Sequence, residues 1–321
     1  MASATRTARR IVGLTITVIL AGQIPCSGWD SLGHMAVAYV AYQQLDQRTK
    51  DRADALLQLN PDRPNWLKLI PKSASADKRK MMIFMIAATW PDRIKFLSTY
   101  SDDTKNPDRP DGKATNSQNI GYSDLFKHRY WHFIDTPFTQ DGAALEPAPD
   151  PNAQTRIILF RQVIASNEPD ELKSYDLSWL IHLVGDVHQP LHCASRFSQQ
   201  VPDGDQGGNL VQLCAAPCKD ELHAFWDNVL GTSESPSTAI TVAKKLPPAG
   251  AGANDLDTGD WIAESVANAK SDVYVDPPIG VSGDGPFTLT SKYKAHAKTV
   301  AQARVALAGA RLAQVLNAEL K

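Results

Sequence analysis

His182 and Asp186 stand four residues apart in Ile181-His182-Leu183-Val184-Gly185-Asp186, and His223 and Asp227 repeat the spacing in Leu222-His223-Ala224-Phe225-Trp226-Asp227. Positions four apart on a helix share one face, with Cβ atoms about 5–6 Å apart, so an imidazole and a carboxylate can hold one cation between them. Pro190 ends the first of these helices, and the turn it makes can bring His192 back toward the same pocket. One such pair arises often by chance. Two pairs, with a further histidine beyond a proline turn, make a nitrogen and oxygen donor set suited to zinc. His34, His132 and Asp92 add three more donors. Taken singly, His34 reads as a helix-surface or capping residue, His132 as a satisfied core histidine in an aromatic run, and Asp92 as a turn aspartate after Pro91.

These donors need rigid elements. Apolar positions at 3–4 spacing predict helices over 34–59, 76–90, 153–166, 171–188, 222–230 and 292–320, with a short one near 238–245. Segments 101–121, 140–152 and 276–288 are rich in Asp, Asn, Gly and Pro and read as loops, and 203–208 reads as a turn. Strand signals are few: 211–213 is a candidate, with room for one hairpin. The fold class is mainly α-helical, with long loops.

Residues 1–28 have the form of a secretory signal peptide: Arg6, Arg9 and Arg10, then an apolar run over 11–21, then Ser27-Gly28. The run is short for a membrane span, although an uncleaved anchor is the alternative. Removing it takes away three arginines and no acids, which moves the formal charge from −2 to −5. The remainder, 29–321, shows no linker and no repeat, so it reads as one domain. An acidic chain is a poor partner for nucleic acid unless bound cations dominate the local charge. An oxidising compartment permits a Cys214–Cys218 bridge and leaves Cys193 as an odd thiol.

In order along the chain stand Trp29 and His34 with four residues between them, Trp90-Pro91-Asp92, His132-Phe133-Ile134-Asp135, His182 through Asp186 to Gln189-Pro190-Leu191-His192, Gly207-Gly208-Asn209, and Leu222-His223 through Trp226-Asp227. The set resembles the zinc-dependent single-strand nuclease and 3′-nucleotidase family of the S1/P1 type across nearly all of 29–321. The ending Ala308-Gly309-Ala310-Arg311-Leu312-Ala313 looks like that of bacterial members. The resemblance implies a single helical domain of the phospholipase C/nuclease type around three zinc ions. Asp92, His132, His182 and Asp186 would hold the first zinc, and His192, His223 and Asp227 the second. The third would sit on the α-amino nitrogen and carbonyl oxygen of Trp29 with His34, sharing Asp186, so cleavage after Gly28 would complete it. His128, His188 and His296 match no ligand and read as surface residues or supports behind the ligands.

The resemblance further implies that Phe133 stacks on a base while Asp135 and Asn209 read its edge, and that Lys95 lies near the scissile phosphate. Each also has a plain reading: core packing, a turn cap, the end of a glycine turn, a solvated lysine. The implied substrates are single-stranded DNA and RNA and 3′-nucleotides, cut by a secreted or periplasmic enzyme with no stable protein partner. Two rivals remain. Zinc-dependent phospholipase C shares the trinuclear plan but ends its last ligand pair in glutamate, where this chain has Asp227. A non-catalytic zinc-binding protein would close each ion, whereas this ligand set leaves open positions.

Overall fold

The computed structural model describes residues 28–103 and 119–321, so the segment 1–28 read as a signal, apart from its last residue, and most of the loop over 101–121 lie outside the described residues. Helix α1 (Ser31–Gln44) begins where the Asp30 carboxylate accepts from the Ser31 amide, and it is buried on nearly every side, from Leu32 to Ala38. A helix apolar all round belongs inside a core. The single helix expected over 34–59 is instead two. Asp46 caps the second, α2 (Gln47–Leu57), by accepting from Thr49, and Asp46 can do so only if the chain leaves the first helix at Leu45.

A short α3 (Arg63–Trp66) leads to α4 (Ala76–Ala87) and then α5 (Trp90–Ile94). The helix expected over 76–90 closes at Ala87, and Pro91 sits in the first turn of the next helix, where its missing N–H costs nothing. That turn carries Asp92.

Strand β1 (Thr136–Thr139) is followed by α6 (Ala153–Ile164), α7 (Asp170–Asp186) and strand β2 (Ala194–Phe197), then by α8 (Leu222–Asp227), α9 (Pro236–Ala243), α10 (Thr258–Asn268) and α11 (Ser291–Glu319). The two strands pair in parallel, Thr136 with Ala194 through Thr139 with Phe197, so they are not the hairpin the sequence left room for. A parallel pair needs a crossover, and here α6 and α7 supply it. The candidate strand at 211–213 reduces to one bridge, Gln212 with Glu221. Helix α10, unassigned from the sequence, starts at the Asp257 cap and buries Trp261, Ile262, Ser265 and Val266.

Helix α7 is the axis of the molecule: every position from Lys173 to Asp186 is buried. Buried polar groups on such a helix must find partners. Ser174 and Ser178 bond to backbone carbonyls, of Leu56 and Ser174 respectively. His182 and Asp186, at its C-terminal end, turn toward the other donors. Helix α11 packs along α1, and α1 also packs on α4, α9 and α7, so the helix that carries His34 is fixed against both the long C-terminal helix and α7.

His128 precedes the His132 turn and is no surface residue. Its imidazole is fully buried, stacked on Trp131 with centroids 3.6 Å apart, and bonded to Asp103 (2.9 Å) and Asp124 (2.8 Å). Burial opposes its charge, but the two carboxylates outweigh burial and raise its pKa. Because the folded-state value exceeds the unfolded one, this contribution is complete below about pH 6.5 and is lost as pH rises through the raised value. His128→Gln should therefore lower Tm in acid, by on the order of 3 kcal/mol of stability. The deficit should shrink toward alkaline pH. Parallel Tm curves for the two proteins across that range would refute the assignment.

Candidate metal centre

Five elements converge at the C-terminal end of α7. Helix α1 brings His34, α5 brings Asp92 with Lys95 just past its end, and the turn Arg129–His132 brings His132. Helix α7 brings His182 and Asp186, the turn Pro190–His192 brings His192, and α8 brings His223 and Asp227. Their donor atoms form three buried groups: His34, His182 and Asp186; Asp92, His132 and His182; and His192, His223 and Asp227. In the first two, Asp186 Oδ2 is 3.0 Å from His182 Nε2 and 3.1 Å from His132 Nδ1, and His34 Nε2 is 3.3 Å from Asp186 Oδ1. Asp92 Oδ1 lies 3.6 Å from His182 Nε2 and 3.7 Å from His132 Nδ1. In the third, Asp227 is 3.5 Å from His223 Nε2 and 3.9 Å from His192 Nε2. Two donors about 2.0–2.1 Å from a tetrahedral zinc lie roughly 3.3 Å apart, which these separations match.

The backbone decides which ring nitrogen each histidine presents. His182 Nδ1 bonds to the Ala88 carbonyl, His192 Nδ1 to the His132 carbonyl and His223 Nδ1 to the Gly207 carbonyl, each at 2.7 Å. A carbonyl accepts only, so each Nδ1 must be the protonated nitrogen, and in a neutral ring Nε2 is left with a lone pair. His192 Nε2 and His223 Nε2 are 3.1 Å apart. Two lone pairs at that distance repel unless a cation or a proton lies between them. Asp186 Oδ1, fully buried, has no hydrogen-bond donor, and neither nitrogen of His34 has a hydrogen-bond partner. Burying such atoms unpaired costs free energy that a cation would offset.

Charge states agree. Burial alone would raise the Asp92 carboxyl, but Lys95 and the imidazoles of His182, His132 and His34 hold it well below the usual carboxylate range. Asp186 is likewise pushed up by burial and pulled well down by His182, His192 and His132. Burial lowers the pKa of His34, and burial together with Lys95 lowers that of His132. Ionised carboxylates and neutral imidazoles are the ligand forms. His182 goes the other way: Asp186 and Asp92 raise it against burial, and the field that draws a proton there would equally draw a metal cation.

Lys95 is not a solvated lysine. Its ammonium is buried and 2.7 Å from Asp92 Oδ1. Trp29 is fully buried, and the next residue ties the segment to α8 through Asp30 N–H to the Asp227 carbonyl, 3.0 Å. The Trp29 nitrogen is here an amide joined to Gly28, and a Cβ on Gly28 would fall 1.6 Å from Asp186 Oδ1 and 3.0 Å from His34 Nε2. That peptide therefore lies against the His34–Asp186 edge. Phe133 and Asp135 are half-buried on the segment running from His132 into β1, whose Ile134 amide donates to the His192 carbonyl at 2.8 Å. Asn209 is half-buried after the glycine turn, donating from Nδ2 to the Gln206 carbonyl. None of these three belongs to a ligand group.

Cys214 and Cys218 are bridged, and Cys193 is free and buried. His188 is buried against Arg311, whereas His296 is exposed.

Two supports escaped the sequence reading. Gln189 donates to Asp227 Oδ1 at 2.8 Å. Gly185 faces His34: a Cβ there would lie 2.8 Å from its Nδ1. The signal was present, since a glycine inside a helix costs about 1 kcal/mol relative to alanine and invites a packing reason. Gly185→Ala should improve helix propensity yet push His34, which is stacked on His182 at 3.9 Å, out of place. The expected result is about 10- to 100-fold weaker metal affinity. Isothermal titration of the chelated protein would check it, and an unchanged affinity would show that His34 holds no metal.

A family model described as S1/P1 nuclease matches residues 29–321. Endonuclease 2 of Arabidopsis thaliana is 24% identical over 321 residues, covering 96% of each chain. Endonuclease 4 of the same plant is 25% identical over 236 residues, 68% of this chain and 59% of its own. Nuclease P1 of Penicillium citrinum is 22% identical over 255 residues, 78% of this chain and 74% of its own.

Proposed function

Because the chain belongs to the S1/P1 nuclease family, we propose that it is a secreted or periplasmic zinc-dependent phosphodiesterase with 3′-nucleotidase activity. Its substrates are single-stranded DNA and RNA, which it cuts to 5′-phosphorylated products, and 3′-nucleotides. The observation that carries the zinc assignment is the convergence of His192 Nε2 and His223 Nε2, both turned inward by backbone carbonyls, beside Asp227. Asp92, His132, His182 and Asp186 take one zinc, and His192, His223 and Asp227 a second. A third takes His34, Asp186 and the nitrogen and carbonyl oxygen of Trp29 once cleavage after Gly28 has freed that amine. Zinc lowers the pKa of a bound water to about 7 and offsets charge on phosphoryl oxygens.

The chain's own groups do the rest. A water oxygen bonds to phosphorus as the bond to the 3′ oxygen breaks, and the 3′ oxygen leaves with a proton. Asp92, held ionised beside Lys95, orients the water. Lys95 places a buried positive charge where the phosphoryl group gathers negative charge. Phe133 stacks on the base, and Asp135 and Asn209 bond to its edge. Only an unpaired base exposes both face and edge, so duplexes are poor substrates. The Cys214–Cys218 bridge fits an oxidising compartment, and no described helix is long and apolar enough to cross a membrane.

The test uses purified protein starting at Trp29: zinc per chain, with cleavage of single- and double-stranded DNA and of a choline phospholipid before and after chelation. Three zincs and chelator-sensitive cleavage of single strands alone are expected. Phospholipid turnover without nuclease activity would replace this reading with a phospholipase, and zinc with neither activity would leave a binding protein.

A further inference from the structure

Among the buried carboxylates outside the metal-binding groups, Asp205 lies on a loop that leads directly to them. Asp205 is fully buried in the glycine loop that precedes Asn209, among Gly204, Gly207 and Gly208. Its Oδ1 accepts from the amides of Arg196 (2.9 Å) and Gly208 (3.1 Å), and its own amide donates to the Arg196 carbonyl (3.0 Å). Asp205 thus fastens the loop to β2. Arg196, whose Nε is 3.7 Å from Asp205 Oδ2, is anchored in turn on the carbonyls of Gly280 and Gly283 and lies 4.8 Å over the Tyr274 ring.

Two residues on, Gly207 hands this anchorage to the metal centre. Its carbonyl fixes His223 Nδ1, and its α-carbon is wedged so closely that a Cβ would fall 2.5 Å from the Leu191 carbonyl, next to His192. All three glycines adopt positive φ, so they lend the loop no stiffness of their own.

We propose that Asp205 is a positioning residue for the His192–His223–Asp227 metal group: by pinning the loop to β2, it holds the Gly207 carbonyl that orients His223. The proposal rests on the zinc reading above. It differs from a general stabilising role in predicting a defect confined to one metal group.

The experiment is zinc retention by the purified holoenzyme during dialysis against graded chelator. Asp205→Ala should lose one zinc per chain at a chelator level where wild type keeps all of them, with affinity at that group about 10- to 100-fold weaker and the far-UV spectrum unchanged. Asp205→Asn, whose carbonyl oxygen can still accept from both amides, should restore retention. If Asp205→Ala does not fold, Gly207→Ala takes its place, since it moves the same carbonyl while leaving the Asp205 carboxylate and its bond from the Arg196 amide in place, and it should lose the same single zinc. Equal retention by wild type and a folded Asp205→Ala, or by wild type and Gly207→Ala, would overturn the proposal and leave the zinc reading standing. Wild type that takes up no zinc would overturn both.

Discussion

Asp186→Ala is expected to strip metal from two of the three donor groups at once and to reduce cleavage by about 10³-fold or more. Asp186 stands between the groups: Oδ2 faces His132 and His182, and Oδ1 faces His34. No neighbouring carboxylate is free to replace it, since Asp92 is already held by Lys95 at 2.7 Å and lies 3.6 Å from His182. Asp186→Asn separates charge from shape. It keeps the volume and one acceptor oxygen, so it should fail nearly as badly if charge holds the metal. The metal-free proteins give a separate readout. Against burial, His182, His192 and His132 hold the Asp186 carboxyl well below the usual carboxylate range, so the ionised group stabilises the fold at neutral pH. Metal-free Asp186→Asn should melt lower than metal-free wild type there, with the gap closing in acid as the carboxylate is protonated. Zinc content, single-strand cleavage and two melting curves check the set. Full zinc content in Asp186→Ala would be incompatible with the bridging role.

His192→Ala should remove one zinc and abolish cleavage while leaving the His34, Asp92, His132, His182 and Asp186 donors in place. The loss has two parts. Nε2 leaves the group it forms with His223 and Asp227, and the Nδ1 bond to the His132 carbonyl disappears. That second bond ties the third group to the backbone of a ligand in the second, so some weakening there is expected too. An active His192→Ala protein with full zinc content would sink the assignment.

The clustering of donor residues was legible because the four-residue spacing of His182 with Asp186 and of His223 with Asp227 is a property of any helix, and both helices exist where the pattern places them. The Cys214–Cys218 bridge was legible as a possibility for the same local reason. What escaped depends on distant parts of the chain. The pairing of β1 with β2 joins residues nearly sixty positions apart, and nothing in Thr136–Thr139 announces its partner. The burial of Lys95, for which a solvated lysine was the plain alternative to a place near the phosphate, could not be read locally because it is decided by how α5 docks on α7. Asp46 as a cap and Pro91 as a helix opener were readable in principle, but apolar periodicity ran through both and masked them. Asp205 offered only a turn-like sequence. Its use became visible once β2 lay beside it.

Three of the inward-facing imidazoles take their orientation from main-chain carbonyls, of Ala88, His132 and Gly207. A carbonyl is supplied by every residue, so replacing the side chain at such a position need not disturb the support, provided the chain follows the same path. Chemistry held in this way is inherited through backbone course more than through residue identity. It can persist in lineages that have drifted until about a quarter of their positions agree, the level at which this chain and Endonuclease 2 of Arabidopsis thaliana now stand at 24%.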